Sequence, residues 1–233
     1  MKRINFIISQ LLLGGLCLST LPAAAQSQKK GPALENYFET VKTPAASPDE
    51  QGFIRRWLLL EPIDKPNRTN IVFTDSYLKE NLDKEYYPGQ MVKNPKNGQK
   101  VKINKQKLQW RAYDSKKFNV KLFRFASGLD KQIYGVLFFA TTYIDCEEDI
   151  PNVRLSVGSN SASMWWLNGE SALMLSGDRR MVMDDGQSPR LTLHKGRNVL
   201  RGAVINGPGM SDFCVRFIHE DGSPVLPIKI CVE

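Results

Sequence analysis

The chain contains 233 residues with a formal net charge of +8, a length that suits one large β domain, or one domain with a tail, with a sizeable core. The charge is moderate and the basic residues are spread along the chain, which argues against a nucleic-acid-binding protein. The sequence has no Cys-x-x-Cys pair and no Cys/His cluster at zinc spacing, which argues against a zinc site.

The N-terminus predicts export. Two basic residues, Lys2 and Arg3, precede a mostly apolar run, Ile4–Leu21, and small residues follow up to Ala25. This order is typical of a secretory signal peptide cleaved near Ala25, and the run is too short and too interrupted for a good membrane span. A lipid anchor on Cys17 is the alternative, although the residue before this cysteine is not small. We therefore expect a periplasmic or extracellular protein.

Three segments are expected along the chain. After the signal peptide at residues 1–25, residues 26–50 contain Gln, Ser, Lys, Pro and Ala but few large apolar residues, which predicts a flexible spacer. Residues 51–233 are expected to form a single β-sandwich domain, with order beginning near Phe53.

The chain after residue 50 consists mostly of runs rich in Val, Ile, Phe and Tyr that are separated by turn residues. This pattern predicts an all-β fold, a sandwich or barrel, with about a dozen short strands and at most one short helix. The helix is expected at Ser76–Leu82, with Asp75 as its N-cap. The predicted strands are Phe53–Leu60, Asn70–Phe73, Leu108–Tyr113, Phe118–Phe125, Ile133–Ile144, Val153–Val157, Ser163–Leu167, Ser171–Leu175, Arg190–Leu193, Val199–Ile205, Phe213–Ile218 and Val225–Ile230.

The clearest hairpin joins the runs Ser163–Leu167 and Ser171–Leu175. Only Asn168 and Gly169 separate these two runs. Asn-Gly is the preferred pair of a type I′ turn, because both central residues must adopt a positive φ. The two runs are therefore expected to pair directly.

The two adjacent tryptophans of this hairpin raise the question of a binding platform. Side chains alternate along a strand, so Trp165 and Trp166 must point to opposite faces of the sheet. We expect Trp165 to lie in the core with Leu167, and Trp166 to face the second surface.

Five lysines cluster around a predicted turn: Lys96, Lys100, Lys102, Lys105 and Lys107. No aromatic pattern interleaves with them, so we interpret this segment as a solvated hairpin and expect no nucleic-acid partner. A weak attraction to acidic polysaccharide remains an alternative.

Three cysteines remain after signal-peptide cleavage: Cys146, Cys214 and Cys231. An odd number allows at most one pair and leaves at least one free thiol. Export permits a disulfide, but the sequence does not select the pair.

No catalytic set emerges from the sequence. The nearest matches to a nucleophile elbow, at residues 169–173 and 209–213, lack the final glycine and do not lie between a strand and a helix. The least poor Ser-His-Asp combination joins Ser211, His219 and Asp212. We predict no catalytic residue and keep a carbohydrate esterase as the alternative.

The second half of the chain contains residues suited to sugar binding. An aromatic side chain can stack on the C–H face of a sugar while Arg, Asn and Asp bond its hydroxyls. The loops Ser176–Arg180 and Asn206–Asp212 are Gly-rich and polar, and loops on a rigid sandwich often carry binding. The candidate carbohydrate-binding residues are Trp166, Arg179, Arg180, Asp184, Asp185, Asn206 and Asp212.

The densest acidic group near the tryptophan hairpin is Asp184-Asp185, with Asp178 close by in sequence. Our first interpretation of this group is a solvated turn. A structural Ca²⁺ site is the second interpretation, and a glycosidase carboxylate pair is the third. We predict no cofactor, with structural calcium as the alternative.

Several stretches resemble galactose-binding-like jelly-roll modules. They are RRWLLLEPI at residues 55–63, VGSNSASMWWLNGE at 157–170, LTLHKGRNVLRGAVING at 191–207 and FCVRF at 213–217. The sequence of these stretches is also similar to that of the N-terminal module of secreted Bacteroidetes proteins labelled acetylxylan esterases. The resemblance implies a jelly-roll β-sandwich in the context of xylan or another plant polysaccharide, with any hydrolytic chemistry in a separate domain.

We therefore predict a secreted, non-catalytic carbohydrate-binding or accessory module for xylan-type polysaccharide. Its expected partners are a polysaccharide or oligosaccharide and, in the same setting, other secreted glycan-degrading proteins. The alternatives are an acetylxylan or related carbohydrate esterase, and a structural or protein-interaction module of a secreted assembly.

Overall fold

The computed structural model describes residues 34–233, so the predicted signal peptide lies outside the described residues. The helices are α1 at Asp75–Leu82 and α2 at Leu122–Gly128, with single 3-10 turns at Leu34–Asn36 and Asn70–Val72. The strands are β1 Phe38–Thr40, β2 Ala45–Ala46, β3 Arg56–Leu60, β4 Ile63–Asp64, β5 Lys100–Ile103, β6 Gln106–Ser115, β7 Val120–Lys121, β8 Val136–Cys146, β9 Ile150–Ser159, β10 Ala162–Leu167, β11 Glu170–Leu175, β12 Gly186–Gln187, β13 Leu191–Leu193, β14 Gly196–Asn206, β15 Asp212–Ile218 and β16 Lys229–Cys231.

Two antiparallel sheets pack face to face. The main sheet has the strand order β1-β6-β3-β8-β14-β10-β11, and β16 and β4 also pair with β8, β5 with β6, and β2 with β16. The second sheet has the order β12-β9-β15-β7, with β13 beside β9. The predicted all-β sandwich is confirmed.

An inner cluster of apolar side chains fills the space between the two sheets. Trp57 of β3, Trp165 of β10 and Phe213 of β15 meet edge to face there, with ring centroids 5.0–6.0 Å apart. Gly202 of β14 lies opposite Trp165, and a Cβ at this position would lie 2.4 Å from an indole carbon. The core position predicted for Trp165 is confirmed.

An outer cluster lies on the other face of the main sheet and contains Trp110, Met164 and Trp166. Residues 65–99, which we call the cover segment, pack over this face, and their α1 contributes Leu78 to the cluster. The main sheet is therefore buried on both faces. This explains why every residue of β10 is buried, although strands with one solvated face alternate between buried and exposed residues.

The hairpin of β10 and β11 has the predicted two-residue turn. Leu167 pairs with Glu170, and the turn residues Asn168 and Gly169 have φ values of 53° and 91°. Asn168 also fixes the turn to the neighbouring strand, since its Oδ1 accepts the Val199 amide hydrogen at 2.8 Å.

Three predicted strands differ from the structure. The run Phe118–Phe125 contains only the two residues of β7 before it becomes α2, because Leu122, Phe125 and Ala126 follow the i, i+3, i+4 spacing of a helix face and enter the inner cluster. Asn70–Phe73 forms a 3-10 turn, and Val225–Ile230 is strand only in its last two residues. Neither helix within residues 34–233 is long and apolar enough to cross a membrane.

The prediction that order begins near Phe53 is wrong, because residues of the predicted spacer already pair with strands of the sandwich. Phe38 of β1 pairs with Ser115 of β6, and Ala45 of β2 pairs with Cys231 of β16. The Phe38 ring is buried and meets Phe125 edge to face at 6.2 Å. Phe38, together with Leu34 and Tyr37 at the inner cluster and Val41 at the outer cluster, thus attaches this segment to the sandwich, while residues 26–33 lie outside the described range.

The three cysteines of the described chain are free and buried. Cys146 belongs to the inner cluster and Cys231 to the outer cluster, so these two thiols lie on opposite faces of the main sheet. Cys214 lies on β15 of the second sheet. No pair among the three is therefore placed to form a disulfide.

Candidate functional site

The loops at one end of the sandwich form a connected surface, which we call the loop cluster. It comprises residues 65–73, 133–135, 176–180 and 207–211. Asn70 joins three of these loops: its Nδ2 donates to Asp178 Oδ1 at 2.9 Å and to the Pro208 carbonyl at 3.2 Å, and its Oδ1 accepts the Gly207 amide hydrogen at 3.1 Å. The loop cluster is therefore fixed by hydrogen bonds between segments that are far apart in sequence.

Several apolar side chains of the loop cluster are exposed. Ile71 is 78% exposed, Met210 58%, Tyr134 50% and Val72 41%. Exposed apolar side chains that are grouped on one surface are typical of a binding site, whereas single ones are normal on any protein. This end of the sandwich is the best candidate for ligand binding within residues 34–233.

Tyr134 supplies the aromatic ring of this surface. It lies just before β8, because Gly135 adopts a φ of 61° and interrupts the apolar run. The Gly135 amide donates to the Gly207 carbonyl at 3.2 Å, which places Tyr134 beside the loop at 207–211. The apolar run Ile133–Ile144 predicts a continuous strand, so sequence reasoning misses this residue. Gly135 within that run was the signal that could have revealed it.

Trp166, the predicted stacking platform, is buried. Only 2% of the residue is exposed, and its indole Nε1 donates to Asp83 Oδ1 of the cover segment at 3.3 Å. The prediction that Trp166 binds a sugar at an open surface is wrong, because the cover segment occupies the face towards which this side chain points.

The predicted residues of the loop after β11 lie in two arginine–carboxylate pairs. Arg179 forms an ion pair with Asp185, and its Nη1 donates to the Ser176 carbonyl at 3.1 Å. Asp184 accepts hydrogen bonds from Ser156 Oγ at 2.6 Å and from Arg216 Nε at 3.0 Å. The Arg216 guanidinium holds the pKa of Asp184 below its usual value. These two carboxylates face arginines and therefore stabilise the loop.

Arg180 is exposed, and so is Asp178 of the same loop. Arg180 has no ion-pair partner within the part of the chain that the structure describes. Asp178 keeps one carboxylate oxygen beyond its contact with Asn70. Both side chains can therefore reach a bound ligand.

The Asn206 side chain joins two loops of the loop cluster by hydrogen bonds. It is buried, and its Nδ2 donates to the Gly209 carbonyl at 2.9 Å and to the Ile133 carbonyl at 3.3 Å. Its Oδ1 accepts a hydrogen bond from Ser161 Oγ at 3.3 Å. The side chain predicted to bind sugar is therefore engaged in supporting the loops.

Asp212 is buried at the start of β15. Its Oδ2 accepts hydrogen bonds from Lys121 Nζ at 2.9 Å and Asn119 Nδ2 at 3.1 Å. Burial raises the pKa of Asp212 despite the lysine. The adjacent Ser211 is fully buried, and its hydroxyl contacts no polar partner in the described chain.

The structure does not bring together Ser211, His219 and Asp212, the least poor catalytic combination in the sequence. Ser211 precedes β15 and His219 follows it, so the two residues lie at opposite ends of a seven-residue strand. At about 3.3 Å per residue, they are roughly 25 Å apart. A serine and its general base must be in hydrogen-bond contact, so Ser211, His219 and Asp212 cannot act as a triad.

The acidic residues in the described part of the chain do not converge as a metal site requires. Within residues 34–233, no three His, Cys, Asp or Glu side chains come together in a group that could hold an ion. Asp184 and Asp185 each face an arginine, as described above. The structural Ca²⁺ site near these residues stays a prediction.

A cavity of about 690 Å³ lies away from the loop cluster. Charged residues such as Asp49, Glu50 and Arg55 line it, and its wall contains no aromatic side chain. It therefore lacks the ring that stacking on a sugar would require.

The comparisons with known proteins assign no family. No family model and no curated protein matches the chain. Among solved structures, the fold is similar to a PA14 sugar-binding domain from an RTX adhesin, with a TM-score of 0.42 and 9% identity over 75% of this chain and 96% of that chain. It is similar to the PA14 domain of an antifreeze protein, with a TM-score of 0.42 and 11% identity over 84% of this chain and 97% of that one.

A third similar structure is a β-glucosidase from Kluyveromyces marxianus in complex with glucose. Its TM-score is 0.36 at 17% identity, and the match covers 58% of this chain and 19% of the β-glucosidase. At TM-scores below 0.5, these likenesses assign no function to the chain.

Proposed function

We propose that this protein is an exported, non-catalytic module that binds carbohydrate through the loop cluster, with xylan-type plant polysaccharide as its ligand. The observation that carries the proposal is the half-exposed Tyr134 on loops that also present Arg180 and Asp178. A tyrosine ring can pack on the C–H face of a pyranose while a guanidinium and a carboxylate bond its hydroxyls. The export and xylan parts of the proposal rest on the N-terminal sequence pattern and on the sequence resemblance.

Tyr134→Ala tests this site. We expect the wild-type chain to bind xylan or arabinoxylan, and the variant to bind about tenfold more weakly, because an aromatic contact contributes about 1–2 kcal/mol. Affinity electrophoresis in gels that contain xylan, arabinoxylan or pectin measures the difference. Val92→Ala is the matched control, since Val92 is 82% exposed but lies outside the loop cluster.

Three results would contradict the proposal. The first is a folded wild-type chain that binds none of these glycans. The second is equal binding by wild type and Tyr134→Ala, which would place the sugar elsewhere. The third is acetate release from acetylated xylan by the purified chain, which would overturn the non-catalytic part.

A protein-interaction module is the second candidate. The exposed aliphatic side chains Ile71, Val72 and Met210 favour it, because they offer area for a protein partner but no hydroxyl-bonding group. This candidate predicts a complex that Ile71→Asp disrupts, with no retardation of the wild-type chain in any glycan gel.

A further inference from the structure

The strands β5 and β6 form a hairpin that carries lysines on one face. Lys102 pairs directly with Lys107, and Lys100 pairs with Gln109. Paired residues point to the same side of a sheet, so Lys100, Lys102 and Lys107 share a face. Ile103 and Leu108 point the other way, into the outer cluster. Lys105 lies in the turn, and we call residues 100–109 the lysine hairpin.

This region carries most of the net charge of the chain. Residues 86–113 contain six lysines and one arginine but no aspartate or glutamate. The segment thus contributes seven of the eight net positive charges. All six lysines are exposed, and within residues 34–233 none of them forms an ion pair; Arg111 alone pairs, with Glu61 at 2.8 Å.

The arrangement is unfavourable for the isolated hairpin. Lys102 and Lys107 lie directly opposite each other, and like charges in this position destabilise a strand pair. Lysines on an edge strand do prevent strand-to-strand aggregation, which accounts for Lys100 and Lys102 of β5. Lys107 lies on the part of β6 that pairs with β5 alone, directly opposite Lys102, so protection of the β5 edge does not by itself require a third lysine on this face. A polyanion bound along this face would relieve the repulsion.

The lysine hairpin lies at the same end of the main sheet as the loop cluster. The Asp64 amide donates to Gln106 Oε1 at 3.0 Å, and the next residue, Lys65, donates its amide hydrogen to the Gly135 carbonyl at 2.8 Å. Gly135 follows Tyr134. A linear polymer that contacts Tyr134 therefore has the lysine hairpin as a neighbouring surface.

We propose that the lysine hairpin binds the carboxylate groups of an acidic polysaccharide. The lysine face contains no aromatic side chain on which nucleic-acid bases could stack and no exposed apolar side chain that could insert into a membrane. Each lysine ammonium is a point charge on a flexible stem, so a row of lysines can follow charges that are spaced along a polymer. The choice of a polysaccharide over other polyanions rests on the proposed function of the adjoining loop cluster.

A charge-matched pair of triple variants tests the proposal. The hairpin variant combines Lys100→Gln, Lys102→Gln and Lys107→Gln. The control variant combines Lys42→Gln, Lys79→Gln and Lys117→Gln, which removes the same charge from exposed lysines elsewhere. We expect the Kd for polygalacturonate at low ionic strength to rise about tenfold in the hairpin variant and less than about twofold in the control. The salt dependence of binding should become shallower only in the hairpin variant.

The same measurement separates this inference from the proposed function. Binding of neutral arabinoxylan that depends on Tyr134, together with no binding of polygalacturonate, would overturn the inference and leave the loop-cluster proposal intact. Equal weakening in both triple variants would show a response to net charge alone and would also overturn it. Tighter binding of duplex DNA or of phosphatidylserine vesicles than of polygalacturonate would overturn the choice of polysaccharide.

Discussion

Asp184 shows how a single side chain fixes a loop. Its φ of 57° lies in the left-handed region, where aspartate and asparagine are better tolerated than most residues. Its carboxylate accepts hydrogen bonds from Ser156 and Arg216, which lie on β9 and β15. One residue therefore attaches the loop after β11 to both central strands of the second sheet.

Asp184→Asn should lower the free energy of unfolding by about 1–3 kcal/mol at neutral pH, because it removes a charged hydrogen-bond acceptor and retains the backbone geometry. The folded-state pKa of Asp184 lies below the unfolded value. Its stabilisation is therefore present above about pH 4 and is lost as the pH falls through the folded pKa. Urea titrations between neutral pH and about pH 3 measure the difference.

Acidification should lower the free energy of unfolding of Asp184→Asn less than that of the wild type, because the variant has no carboxylate to protonate at this position. Glu148→Gln controls for the removal of one negative charge at an exposed position between β8 and β9. An Asp184→Asn variant as stable as wild type at neutral pH would contradict this role of the carboxylate.

At the scale of elements, the cover segment determines which side chains are open. Thr74 caps the N-terminus of its α1, since the Thr74 hydroxyl accepts the Tyr77 amide hydrogen at 3.3 Å. The helix places Leu78 and Leu82 on the outer cluster. Trp166 lies beneath it. Because the cover segment packs on the outer cluster, the main sheet is buried on both faces.

Leu78→Ala should destabilise the chain by about 2–5 kcal/mol, because Leu78 is fully buried and the change leaves a cavity under α1. Acrylamide quenching of tryptophan fluorescence should increase as the cover segment loosens, since Trp110 and Trp166 lie below it. Lys79→Ala, on the exposed side of the same helix, should change neither quantity. Equal quenching in wild type and Leu78→Ala would show that the cover segment stays closed without this contact.

The elements that the sequence predicted well are those whose signals are local. The turn at Asn168 and Gly169 needs only two residues with positive φ, and α1 differs from its prediction by one residue at its start. The burial of Trp166 depends instead on residues about 80 positions earlier in the chain. Alternation predicts that the two tryptophans diverge, but it cannot tell whether a second layer covers the far face.

The candidate site was harder to predict than the fold for a similar reason. Asn206 and Asp212 are polar residues in a loop region, which is typical of binding residues, yet both are buried in hydrogen-bonded supports. Tyr134 lay inside an apolar run and had no polar signal of its own. Whether a loop residue contacts solvent or another loop is set by tertiary contacts that the local sequence does not contain.

At the scale of the whole molecule, two apolar clusters share one sheet, and both proposed binding surfaces lie at one end of it. The three cysteines are distributed over both clusters and both sheets. Within residues 34–233, packing on two faces of a single sheet therefore joins the elements without a disulfide.

Reducing agent should leave the melting temperature of the purified protein unchanged. Alkylation in denaturant without prior reduction should label Cys146, Cys214 and Cys231, as read by mass spectrometry. Under native conditions labelling should be slow, because all three thiols are buried and burial raises the pKa of Cys214 to about 11. A mass that shows two blocked thiols would contradict the absence of a disulfide.

The pairing of β2 with β16 has a consequence for synthesis. Ala46 lies opposite Ile230, and β16 in turn pairs with β8 near the centre of the main sheet. Such long-range pairings place a protein among the slow folders, on the order of milliseconds to seconds. The ribosome must release residues through Cys231 before this part of the sheet can form. During synthesis, β8 therefore lacks its pairing with β16, which is translated nearly ninety positions later.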